Sequence, residues 1–108
     1  NITIPVINAD KSTVEIETPL KNEASDVIVE VSTRIQDREG KVLYQISSPA
    51  EIAAGGKKVV IHTIEMFYPE RWSVRNPYLY TAIVEVKVGN ELMDSHQTTF
   101  GMHSLDSI

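Results

Sequence analysis

Polar and apolar residues alternate with a period of two along nearly the whole chain, and no stretch keeps a helical period. Successive side chains of a strand point to opposite faces, so this alternation marks strands with one face buried and one in water. In residues 12–20, Val14, Ile16, Thr18 and Leu20 share one face, and Thr13, Glu15 and Glu17 the other. In residues 26–37, Val27, Val29, Val31, Thr33 and Ile35 oppose Glu30, Ser32, Arg34 and Gln36, with Ile28 the one apolar exception. Residues 41–48 set Val42, Tyr44 and Ile46 against a mixed side holding Leu43 and Gln45, the pattern of an edge strand. Residues 57–66 read as a strand by their β-branched content, with Val59, Ile61 and Thr63 as one face. Tyr80, Ala82, Val84, Val86 and Val88 face one way in residues 78–88, and Leu92, His96, Thr98 and Phe100 share a face in residues 91–100. Residues 2–6 supply a further short strand.

The segments between read as connections. Residues 21–25 form a polar turn. Asp37, Arg38, Glu39 and Gly40 close a hairpin, with Gly40 free to take positive φ. Residues 49–56 form a connector, residues 66–77 a long crossover holding Pro69 and Pro77, and Gly89-Asn90 a tight turn. Short strands separated by turn signals about every 10 residues predict an all-β, immunoglobulin-like antiparallel β-sandwich of about seven strands. That count argues against a closed eight-stranded barrel. One domain over 1–103 is expected, with 104–108 as a tail.

At 108 residues the chain is long enough for a single core. A net charge of −5 without a basic cluster argues against nucleic acid or an anionic membrane as partner. The absence of cysteine removes disulfides, thiolate metal sites and a cysteine nucleophile. No apolar run reaches the roughly 20 residues of a membrane helix. The first residues have neither the basic start nor the apolar stretch of a secretory signal, and the chain reads as a piece of something larger.

Catalytic patterns are missing. Glu15 and Glu17 point the same way, and paired carboxylates about 5–5.5 Å apart can run retaining glycoside hydrolysis. They lie opposite an apolar face, however, and read as solvated. His62, His96 and His103 stand on separate segments, which is poor grounds for a metal site. His96 shares an otherwise apolar face and reads as a satisfied, half-buried histidine. No Gly-x-Ser-x-Gly elbow surrounds any serine. Gly55-Gly56-Lys57-Lys58 is followed by a strand, whereas a phosphate loop needs a helix there. Asn1-Ile2-Thr3 matches a glycosylation sequon by chance. No cofactor or metal is expected.

Aromatic residues make up only 6% of the chain, yet Trp72, Tyr78 and Tyr80 gather around Asn76-Pro77. Tyr80 is in phase with Ala82 and Val84, so its ring points inward. Its hydroxyl then needs a partner, which a carbonyl of the crossover could supply, making a tyrosine corner. Trp72 lies in the crossover between two stiffening prolines. It reads as a plug for the sandwich end or a neighbouring domain rather than a sugar-stacking platform.

The run Arg71-Trp72-Ser73-Val74-Arg75-Asn76-Pro77-Tyr78-Leu79-Tyr80-Thr81 resembles the Trp-Ser…Asn-Pro-Tyr-Leu-Tyr-Thr signature of glycoside hydrolase family 2. That signature belongs to the immunoglobulin-like domain before the catalytic barrel in β-galactosidases, β-glucuronidases and β-mannosidases. The hairpin ending in Asp94-Ser95, the closing Thr98-Thr99-Phe100-Gly101-Met102-His103 and the Asp37-Arg38-Glu39-Gly40-Lys41-Val42 turn are similar to the same domain. Arg71 departs from the usual apolar residue there, and His103 from the usual arginine. The resemblance implies a non-catalytic scaffold linking a sugar-binding jelly-roll domain to the barrel, since the family's catalytic glutamates lie in the barrel. It makes Trp72, Asn76, Pro77, Tyr78, Tyr80, Phe100 and Gly101 structural or interdomain candidates. It implies the neighbouring domains and oligomer contacts as partners, and a lean towards the bacterial periplasm or exterior. The alternative is a free-standing immunoglobulin-like or carbohydrate-binding module. Apolar surface around Trp72, Phe100 or Leu105 is expected to promote self-association when neighbours are absent.

Overall fold

The computed structural model describes residues 1–7 and 10–103, with backbone only for 5–7. The expected tail and Leu105 lie outside the described residues. Seven strands follow one another: β1 (Ile2–Ile7), β2 (Lys11–Lys21), β3 (Val27–Gln36), β4 (Val42–Ile52), β5 (Lys57–Phe67), β6 (Tyr80–Val88) and β7 (Glu91–Phe100). They form a three-stranded sheet in the order β1-β2-β5 and a four-stranded sheet in the order β4-β3-β6-β7. All pairings between these strands are antiparallel. This is the expected all-β sandwich, with the short first strand included and no closed barrel.

The inward rows make one core. Val14 and Ile16 of β2 meet Val31 and Ile35 of β3 and Ala82, Val84 and Val86 of β6. Gly40 takes φ 87° in the β3–β4 turn, where Gly40 N–H donates to Asp37 O at 3.0 Å. On the outer face Arg34 and Glu85 form an ion pair at 2.9 Å between β3 and β6.

The structure corrects several sequence expectations. Val59 and Ile61 are 55% and 53% exposed, and the inward row of β5 is Val60, His62, Ile64 and Met66. Both rows of β5 carry β-branched residues, so composition alone does not fix its phase. Residues 49–52 belong to β4 rather than to a connector, with Pro49 opposite Glu30. β4 is an edge strand, as expected, and an edge tolerates a residue without an N–H. In β7, a register shift pairs Lys87 with Leu92 and puts Leu92 out of phase with His96. His96 is exposed rather than half-buried, and its Nε2 lies 3.1 Å from Asp94 Oδ2.

The two long sides of the sandwich differ. The β4–β5 side is laced: Phe67 N–H donates to Tyr44 Oη at 2.9 Å, and His62 bridges the sheets between them. The opposite side opens into a cleft of about 270 Å³ between β2 and β7, with Ile16 and Leu20 on one wall and Val84, Asp94, His96 and Thr98 on the other. At the pole holding the β2–β3 and β4–β5 turns, buried Asn22 donates through Nδ2 to the carbonyls of Ser25, Ile52 and Ala53 at 2.8, 3.1 and 3.2 Å. The other pole gathers the β3–β4 turn, the β5–β6 crossover and the end of β7. The aromatic candidates lie there.

Candidate functional site

The strand phase of β6 drives Tyr80 into the core, where it is 3% exposed. Its hydroxyl meets the crossover backbone ten residues upstream, accepting the Glu70 N–H at 2.6 Å. The expected partner was a carbonyl; the structure supplies an amide donor instead, because the crossover turns an N–H towards the ring. Burial pushes the Tyr80 hydroxyl above the ordinary tyrosine pKa, so it stays protonated at neutral pH.

Tyr78, Tyr80 and Phe100 form a ladder, with ring centroids 5.0 Å apart for the first pair and 5.9 Å for the second. Arg38 from the β3–β4 turn lies over the Tyr78 ring, its Cζ 4.6 Å from the centroid. Asn76 and Pro77 are exposed in a turn where Ser73 N–H donates to Asn76 O at 3.0 Å and Tyr78 N–H to the same oxygen at 2.7 Å.

Trp72 is half-buried and is held by the last described segment. Its N–H donates to Met102 O at 3.0 Å, and its neighbour Arg71 bridges Met102. A Cβ added at Gly101 would lie 2.9 Å from Trp72 Cδ1 and 3.0 Å from its Cβ and Cγ. Only glycine admits the indole this closely. The His103 ring covers Trp72 further, with centroids 4.3 Å apart. The structure thus joins Trp72 to Gly101, and Tyr78 to Tyr80 and Phe100. Sequence reading missed Arg38, Met102 and the stacking of His103. No local pattern marks Arg38 or Met102, since only the fold brings their segments to this pole.

A second constellation was also missed. His62 is 4% exposed, with Nδ1 2.7 Å from Thr33 Oγ1 and Nε2 2.8 Å from Ser48 Oγ. Burial lowers its pKa, which favours the neutral ring: one nitrogen donates and the other accepts. A serine beside a histidine suggests an activated nucleophile, but here a hydroxyl fills the orienting place that a carboxylate takes in a triad. The arrangement ties one sheet to the other. Among the described residues, no group of three or more His, Asp or Glu comes together to hold a metal ion.

The model of the family described as glycosyl hydrolases family 2 matches residues 1–103. The chain belongs to this family. It is 29% identical over 109 residues to the β-galactosidase BoGH2A of Bacteroides ovatus, covering 98% of this chain and 13% of that enzyme. It is 26% identical over 101 residues to a β-glucuronidase of Formosa agariphila, covering 93% of this chain and 10% of that protein. A crystal structure of a glycosyl hydrolase family 2 member from Bacteroides cellulosilyticus superposes with a TM-score of 0.87 at 28% identity, over 94% of this chain and 14% of that one. The Bacteroides uniformis β-glucuronidase shares the fold, with a TM-score of 0.89 at 20% identity, over 94% of this chain and 12% of that one. This family 2 chain is therefore a β-sandwich domain spanning a small part of the length of the enzymes it matches.

Proposed function

We propose that this family 2 domain is a non-catalytic scaffold within a glycosidase, setting the position of a sugar-binding jelly-roll domain against a catalytic barrel. The observation that carries this reading is that the aromatic run is used up internally. Tyr80 fixes the crossover through Glu70, and Trp72 is held between Gly101 and His103. A sugar platform presents a free aromatic face; these rings brace the point where the last strand leaves the sandwich. The domain then contributes rigidity and geometry to the parent enzyme, while the hydrolysis of a glycosidic bond belongs to the barrel.

The test is glycan binding by calorimetry or array on this chain, with Trp72→Ala alongside. The scaffold reading predicts no binding in either protein. Binding that disappears with Trp72→Ala would make the run a sugar platform and replace the scaffold with a carbohydrate-binding module.

A further inference from the structure

We propose that Phe67 and Tyr68, at the end of β5, are the docking contact for the domain that follows His103 in the parent polypeptide. This rests on the scaffold reading and adds the surface and its occupant. Tyr68 has φ 50°, the one non-glycine residue with positive φ among the described residues. Left-handed backbone disfavours a bulky side chain, and glycine would adopt it freely. The conformation is held by the Tyr68 N–H, which donates to Asp10 O at 2.7 Å.

The phenol side chain makes no polar or ring contact among the described residues. Tyr68 is 76% exposed and Phe67 57%. A strained backbone that turns an aromatic side chain outwards without an internal partner points to a contact outside the domain.

The place identifies the occupant. Tyr68 is three residues from Arg71, so at most about 11 Å from it, and Arg71 in turn bridges Met102, which places Tyr68 at the same pole as the end of β7. Whatever follows His103 is therefore tethered at the pole that carries this tip, which raises its effective concentration there. Val74 and Leu79, 85% and 41% exposed, are further apolar side chains that the same crossover presents to solvent. The matching face is an apolar patch with a hydrogen-bond acceptor for the phenol.

Hydroxyl-radical footprinting of the natural gene product, with the 108-residue chain beside it, tests this. Expected is the loss of most Tyr68 and Phe67 labelling in the longer polypeptide, while Val59 and Ile61 label as a control in the short chain. Tyr68→Gly should leave the unfolding midpoint of the short chain unchanged or raised, yet lower that of this domain in the longer polypeptide. Equal labelling in both, or midpoint shifts of the same sign, would overturn the docking contact and leave the scaffold reading standing. Protection already present in the short chain and growing with concentration would assign the tip to a second copy instead. A gene product with no following domain would overturn the scaffold reading itself.

Discussion

Replacing Tyr80 with phenylalanine removes one oxygen and leaves the Glu70 N–H without its acceptor. We expect a loss of about 1–3 kcal/mol, read from urea unfolding; an unchanged midpoint would contradict the corner. Gly101→Ala forces a methyl group against the Trp72 ring, which must move. It should cost about 1–3 kcal/mol and shift the emission of Trp72, the one tryptophan of the chain. Unaltered emission and stability would show that the indole is not held there. The inward direction of Tyr80 was legible from its phase with Ala82 and Val84. The identity of its partner was not, because it depends on the path of an irregular crossover held by contacts distant in sequence.

Among the elements, β5 shows best where pattern reading stops. Its rows Val59, Ile61, Thr63 and Val60, His62, Ile64, Met66 are both largely apolar, and His62 disguises the inward one. Only the cross-sheet hydroxyls of Thr33 and Ser48 make a histidine acceptable there. The phase predicts opposite sensitivities. Ile64→Ala should cost about 2–5 kcal/mol by opening a cavity, and Ile61→Thr less than about 0.5 kcal/mol. The reverse ranking by thermal or chemical unfolding would put the strand in the wrong register. β2, β3 and β6 were legible because their polar and apolar rows separate cleanly. β7 misled because its inward positions Asp94, His96 and Thr98 face an open cleft rather than a covered core.

At the scale of the whole molecule, His62 makes stability depend on pH. Its folded pKa lies below the ordinary 6.5, so the unfolded chain takes up a proton first. Its contribution is complete above 6.5 and falls away as the pH drops from there towards the folded value. Urea midpoints measured from about pH 7.5 to about pH 5 should decline, and decline less in His62→Gln. An equal decline in both would remove His62 as the cause. The seven-strand sandwich was legible as a class, whereas the laced and open sides were not, since they arise from pairs such as Tyr44 and Phe67 that only the fold unites. The strand directions carry one more consequence, a mechanical one. β1 and β7 are edge strands of different sheets; the chain enters β1 pointing towards the corner pole and leaves β7 at that same pole. Tension applied between the two ends runs along the strands and across their hydrogen bonds. The bonds joining β1 to β2 and β7 to β6 are then sheared together instead of being unzipped one at a time, so the domain behaves as a stiff strut rather than a spring.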